Sequence, residues 1–431
     1  VTTPFTTTTD YFPCNLDGDG ITNLLYAPRT GGGAVYHSQF NGVSDQPFYQ
    51  SLPETSTVVG VSDNNGDQVD EIAVLKRINR EVLIDYDPAG NPNYYYYQLH
   101  EFIIYHNNNL TGTLDYRYTS VLPTMADSTL KMNVHLANIY GGDFNGDGLS
   151  DYLFINDYQI YVSYGQRSIT QPLSPWVNLS ATAGSFTPMN TWTDQVERLY
   201  ILDFDGDGKS DIFLINGAQG AVYEFDSPNH LQEVFWDDGG SYSLQTRLFD
   251  QQFLLFPGDF NGDGKTDFLK KAPGNTLWTI SYSTGIDFSS TNVTIPTSPN
   301  IQQLGFGTYS GELVSVGDYN GDGKSDMFHV GNYVGATFGA IYYSNGTNFM
   351  PQIFSAQNGM PYASSISGPS YPGVDGRARV IYRAYSGSDP LELGIGLKSK
   401  ENLLVKIRNG ELHTTIFDYK LMTEKLGVGD N

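Results

Sequence analysis

The sequence predicts an all-β chain folded as a β-propeller, with seven blades expected and six as the alternative. Three observations predict it. A nine-residue loop rich in Asp and Gly recurs six times, starting at residues 15, 63, 143, 203, 259 and 318. The spacing settles near sixty residues, the length of one four-stranded antiparallel sheet with its turns. The composition, with 31 Tyr, 24 Phe and 47 Gly, suits many short strands joined by tight turns rather than long helices.

The loops come first because they set the register of everything else. Each places oxygen-bearing side chains at positions 1, 3, 5 and 9 and offers a backbone carbonyl at position 7. Positions 1, 3, 5, 7 and 9 are Asn15, Asp17, Asp19, Ile21 and Asn23 in the first loop, and Asp63, Asn65, Asp67, Val69 and Glu71 in the second. In the third they are Asp143, Asn145, Asp147, Leu149 and Asp151, and in the fourth Asp203, Asp205, Asp207, Lys209 and Asp211. The fifth has Asp259, Asn261, Asp263, Lys265 and Asp267, and the sixth Asp318, Asn320, Asp322, Lys324 and Asp326.

That pattern is calcium chemistry. Ca²⁺ is a hard cation that takes 6–8 oxygens in forgiving geometry, and glycines at positions 4 and 6 let the chain wrap tightly. An Asp-Gly or Asn-Gly pair alone is an ordinary hairpin turn. Six copies that stack mutually repelling carboxylates are not explained by turns. The loop is not an EF-hand, which carries Glu at position 12 between helices. Here that position holds Phe154, Leu214, Lys270 and His329 in the last four loops. Up to six Ca²⁺ are expected, and six would halve the formal charge of -24. The fourth loop, with four carboxylates, is expected to bind best. The first has only two (Asp17 and Asp19) and is expected to bind weakest. In the second, Gln68 replaces the position-6 glycine, at a cost of roughly 1–2 kcal/mol for a left-handed residue.

The flanks complete the blade. Apolar runs precede and follow each loop, as in 199–202 and 212–215 around the fourth, so each loop joins adjacent strands of a hairpin. Between the second and third loops the unit swells around Tyr94–Tyr97, read as a long excursion from one blade. Beyond the sixth loop the segment Tyr371–Gly376 marks a unit without metal ligands, the seventh blade. Residues 1–390 are assigned to the propeller, and 391–431 to a C-terminal strand segment that closes the ring or leads into a following shell.

With an apolar strand after each, the six loops resemble FG-GAP/VCBS repeats, found in integrin α-subunit propellers, fungal lectins and many bacterial surface proteins. The segment Phe306–Gly311 is similar to the motif that names the repeat. The resemblance covers roughly residues 10 to 385 and implies a calcium-binding propeller. A second resemblance lies in Asn402–Gly410 and His413–Tyr419, which look like the lead-in to YD repeats of Rhs and Tc-toxin B-type proteins. It implies that the chain is the propeller portion of a longer protein, docking on a partner subunit and gating a hollow shell.

The remaining chemistry is mostly excluded. A charge of -24 with 23 Lys and Arg argues against nucleic acid, whose phosphates need basic clusters. Cys14 is the single cysteine, so neither an intrachain disulfide nor a Cys-based zinc site is available. No run of 18 apolar residues spans a membrane. Val1–Thr9 lacks the features of an export leader, which is expected to have been removed or to lie outside the sequence. The seven His residues form no metal-spaced pair and read as strand or surface residues. No nucleophile elbow or P-loop occurs. The expectation is a non-catalytic, secreted or cell-surface binding module with a protein partner or, alternatively, a glycan ligand.

Overall fold

The computed structural model describes residues 9–16, 23–28, 34–39, 48–51, 56–86, 92–108, 113–122, 139–156, 159–179, 198–240, 247–250, 252–271, 278–293, 313–333, 336–354, 363–372, 378–384, 390–393, 406–408 and 414–416. All regular structure among them is β. The first sheet holds β1 to β4 (Thr9–Cys14, Asn23–Pro28, Ala34–Gln39, Phe48–Ser51) and the second β5 to β8 (Ser56–Ser62, Glu71–Tyr86, Pro92–Asn108, Thr113–Val121). The third holds β9 to β12 (Ile139–Gly142, Asp151–Asn156, Gln159–Ser163, Val177–Asn178) and the fourth β13 to β16 (Arg198–Leu202, Asp211–Asn216, Gln219–Ser227, His230–Asp237). The fifth holds β17 to β20 (Leu254–Gly258, Asp267–Lys271, Trp278–Ser283, Phe288–Val293) and the sixth β21 to β24 (Leu313–Gly317, Asp326–Tyr333, Ala336–Ser344, Phe349–Phe354). A three-stranded sheet follows, β25 to β27 (Ala363–Pro372, Ala378–Ala384, Pro390–Leu393), and then a pair, β28 and β29 (Lys406–Arg408, Thr414–Ile416).

Every sheet is an antiparallel meander, in which each strand pairs with the next in sequence. First strands touch from sheet to sheet: β1 meets β5, β5 meets β9, β9 meets β13, β17 meets β21 and β21 meets β25. Strand β25 also touches β1, so the last large sheet lies against the first. The acidic loops of the second to sixth sheets each join the first strand to the second, as the flanking apolar runs predict.

The core is layered between sheets, which explains the near-continuous apolar runs. In β14, Ile212 faces the third sheet together with Leu153, Ile155 and Val162. Its neighbours Phe213 and Ile215 face the fifth sheet, beside Phe249, Phe268 and Phe288. A strand buried on both faces has no polar side to alternate with. On this second face the rings of Phe213 and Phe249 lie 4.7 Å apart and those of Phe249 and Phe288 4.9 Å, edge to face. Truncating Phe213 to Ala is expected to cost about 3–5 kcal/mol.

The swelling around Tyr94–Tyr97 has a simple form. Strands β6 and β7 run far beyond the sheet as a two-stranded extension, pairing Arg80 with Tyr97 and Leu83 with Tyr94. The segment Phe306–Gly311 and residues 373–377 lie outside the described residues.

Candidate metal-binding loops

Four loops, the third to the sixth, share one geometry. Position 1 is folded into its own loop: Asp143 Oδ1 accepts the Gly146 N–H at 2.8 Å and its Oδ2 accepts the Gly148 N–H at 2.8 Å. Asp203, Asp259 and Asp318 do the same with the glycines at their positions 4 and 6. Oδ1 of position 3 takes the position-5 N–H, and Oδ1 of position 5 takes the position-7 N–H, at 2.8–3.0 Å throughout. This run of Asx turns coils the loop, and in the third and fifth loops the remaining Oδ2 of position 5 accepts the position-3 amide N–H at 3.0 and 3.2 Å. Gly206 and Gly208 have φ of 81° and 84°, a region that disfavours other residues.

Position 9 differs in being buried. Asp151, Asp211, Asp267 and Asp326 begin the second strand of their sheets and are at most 2 % exposed. Oδ2 of each accepts the position-2 N–H, at 2.7 Å from Phe204 to Asp211 and 3.0 Å from Tyr319 to Asp326. In three loops Oδ1 takes an N–H from the end of the third strand, Ser283 or Ser344, or from just beyond it, Gly165. Burial pushes Asp151 and Asp267 up to about 7 and Asp211 and Asp326 up to about 8, and neighbouring loop carboxylates add to the rise. A dication in the loop would offset this cost.

The fourth loop gathers the most carboxylates. Asp203, Asp205 and Asp211 each offer an oxygen, all within 4.8 Å of one another. Donors around one Ca²⁺ at 2.3–2.6 Å lie at most about 5 Å apart, so these residues fit one ion. Glu224 on β15 adds a carboxylate beside them. Burial first, and then Asp205 and Asp207, push it up to about 7. The Lys209 ammonium pairs with Asp207 Oδ2. Lys265 and Lys324 approach Asp263 and Asp322 in the same way, at 3.3 and 3.6 Å. These ammonium groups supply positive charge at the exposed lip of each loop.

The loops are also joined to one another, which the sequence reading did not anticipate. The carbonyl of position 1 accepts the position-8 N–H of the next loop in all five successive pairs: Asn15 from Asp70, Asp63 from Ser150, Asp143 from Ser210, Asp203 from Thr266 and Asp259 from Ser325. In the pairs led by Asn15, Asp143 and Asp203 the bond is returned, the position-1 N–H donating to the side chain of Asp70, Ser210 or Thr266. The position-7 side chain then packs over the position-4 glycine of the preceding loop. A Cβ at Gly206 would lie 3.3 Å from Lys265 and one at Gly262 3.2 Å from Lys324. The loops therefore form a continuous hydrogen-bonded belt. The signal lay in Ser, Thr or Asp at position 8 of loops two to six. Position 2 carries a further unread role: Phe144, Phe204, Phe260 and Tyr319 are fully buried anchors.

The second loop keeps the same run of bonds, Asp63 taking the Gly66 and Gln68 N–H groups, Asn65 the Asp67 N–H and Asp67 the Val69 N–H. Asp17, Asp19 and Ile21 lie outside the described residues, while Asn15 is joined to the second loop through Asp70 and Gln68. In the second loop Gln68 has φ 69°, the left-handed value that glycine takes elsewhere. Glu71 is fully buried, and its Oε1 receives Asn65 Nδ2 at 2.5 Å and His106 Nδ1 at 2.8 Å. Position 9 is thus met here by two side-chain nitrogens, where Asp151, Asp267 and Asp326 are met by backbone N–H groups.

Comparison with known proteins agrees with the architecture. The FG-GAP-like repeat family matches residues 203–270, from the fourth loop to β18. No curated protein sequence matches the chain. Among solved structures, a lectin of Agrocybe aegerita, described as recognising non-reducing terminal N-acetylglucosamine, is 18 % identical with a TM-score of 0.51. That match covers 82 % of this chain and 81 % of the lectin. A protein from Lactobacillus plantarum is 9 % identical over 95 % of both chains with a TM-score of 0.42. The TcdB2-TccC3 structure is 12 % identical with a TM-score of 0.27, covering 88 % of this chain and 20 % of that one. The repeat match, the meander sheets and the lectin's shared fold support an FG-GAP-type β-propeller.

Proposed function

We propose that the chain is a non-catalytic binding module, a seven-bladed propeller whose loops take structural Ca²⁺ and whose ligand binds on the surfaces between the repeats. The observation that carries the reading is the belt of Asp-rich loops with buried position-9 carboxylates. Carboxylates held in Asx turns and strand-end hydrogen bonds are committed to the scaffold and make poor general acids. The seven-blade count is supported by the three-stranded sheet seated between β21 and β1. Calcium use fits a secreted or cell-surface protein, where the ion is abundant.

Two ligand classes follow. Docking on a protein partner in an Rhs- or Tc-like assembly is supported by the resemblance of residues 402–419, within which β28 pairs with β29. Glycan recognition is supported by the shared fold of the Agrocybe aegerita lectin. Thermal melting in Ca²⁺ and in excess EDTA tests the metal reading, since a ligand bound only to the folded state raises its stability. Identical melting curves would overturn structural calcium. A glycan array with and without Ca²⁺ separates the ligand classes. Calcium-dependent hits select the glycan, and a blank array removes it and leaves protein docking.

A further inference from the structure

In sheets two to six one residue on or just after the third strand stands beside the acidic loop. Position 10 pairs across the sheet with Tyr105, Ser163, Tyr223, Ser281 and Tyr342 in sheets two to six. The next residue, beside position 9, is therefore His106, Tyr164, Glu224, Tyr282 and Tyr343 in turn. In the third and fifth sheets the tyrosine reaches the neighbouring sheet: Tyr164 bonds the Pro228 carbonyl, and Tyr282 the Gly346 carbonyl at 3.0 Å. In the second sheet the side chain turns into the loop instead. His106 lies between Glu71 and Asp67, and these three residues bring one donor atom each within 4.8 Å of one another.

The arrangement sets one histidine between two carboxylates. Its Nδ1–H donates to buried Glu71 Oε1 at 2.8 Å, which fixes the tautomer and ring orientation as an outer-shell carboxylate does. Its Nε2 is then directed to Asp67 Oδ2 at 3.9 Å. That distance is too long for a hydrogen bond. It is close to the ~3.4 Å that separates two ligands on a tetrahedral ion with 2.0–2.2 Å bonds. Asp67 itself is prepared for this. Its Oδ1 takes the Val69 N–H at 2.9 Å, and Val69 stands where loops four to six have a lysine that pairs with the position-5 carboxylate. Asn65 turns its amide to Glu71 rather than to position 5, unlike Asn145 and Asn261.

We infer that the second loop is a site for a borderline, nitrogen-accepting divalent cation of the Zn²⁺ class, ligated by Asp67 and His106 and oriented by Glu71. Imidazole with carboxylate suits such ions, whereas Ca²⁺ selects oxygen. The inference is independent of the calcium reading of the other loops.

The test is Co²⁺ binding to the full chain in excess Ca²⁺, followed by visible absorption. One saturable equivalent with a nitrogen-ligated spectrum, displaced by Zn²⁺ but not by further Ca²⁺, is expected. His106→Gln should abolish that equivalent, and Glu71→Gln should weaken it about 10–100-fold, with circular dichroism reporting the fold of both. Absence of a saturable band in the unaltered protein, its displacement by Ca²⁺, or its persistence in His106→Gln would each overturn the proposal. The first two readings need no variant to fold.

Discussion

Asp211→Asn separates the metal role of position 9 from its structural role, because the two predict opposite signs in two buffers. Asp211 is 2 % exposed, and burial raises its pKa from 3.8 to about 8. In metal-free protein at pH 7, folding must therefore either protonate this carboxyl or bury its charge. Linkage at 1.36 kcal/mol per unit makes that cost at most about 4 kcal/mol. Asparagine keeps an oxygen that can accept the Phe204 N–H, now 2.7 Å from Asp211 Oδ2, and carries no charge. In EDTA the variant should thus equal or exceed the parent in stability. In Ca²⁺ the order should reverse. A site held at 100 times its dissociation constant contributes about 2.7 kcal/mol, most of which is lost with one of four carboxylates. Urea unfolding at pH 7 in EDTA and in excess Ca²⁺ measures both. Equal destabilisation in the two buffers would refute the reasoning and make Asp211 a hydrogen-bond acceptor alone.

Three other outcomes follow from the same geometry. An acid whose folded pKa is raised favours the folded state below its unfolded pKa and loses that advantage as pH rises through the folded value. With Asp151 and Asp267 at about 7 and Asp211 and Asp326 at about 8, metal-free protein should lose stability between about pH 4 and pH 8. The slope is up to about 1.4 kcal/mol per pH unit for each titrating group, and urea midpoints in EDTA at pH 5 and pH 8 read it. Ser210→Ala removes the acceptor of the Asp143 N–H, 3.0 Å away, while leaving the backbone half of that link. It should cost about 1 kcal/mol and speed amide exchange in the third and fourth loops more than in the sixth. Gln68→Gly should stabilise by roughly 1 kcal/mol through relief at φ 69°, whereas Gly262→Ala, at φ 80° and with Lys324 3.2 Å from the new Cβ, should destabilise. Paired thermal melts decide both signs.

Much of the architecture was legible because it is written in repeats. The loop recurs with a spacing near sixty residues, and the apolar runs on both sides of it read as adjacent strands of a hairpin. The acidic loops foretold where the first strand of sheets two to six gives way to the second. What stayed illegible were partnerships between repeats. Ser210 reads as a polar loop residue until it is seen bonding Asp143, 67 residues earlier. Leu149 reads as a position-7 carbonyl until its side chain is seen over Gly66, where a Cβ would lie only 2.8 Å away.

The same division holds for the loops as candidate metal sites. The sequence by itself determined which oxygens recur at positions 1, 3, 5 and 9, because a loop that coils through Asx turns repeats its chemistry locally. Their unequal carboxylate counts were legible in the sequence, but tertiary structure alone decided which third-strand residue stands beside each loop. It brings His106 to Glu71 and Asp67, and Glu224 to Asp205 and Asp207. These third-strand residues lie 35 positions from Glu71 and 13 from Asp211. Strand register, set by hydrogen bonds and by burial of both faces, places them beside the loop. A nine-residue motif cannot encode what the neighbouring strand will bring to it.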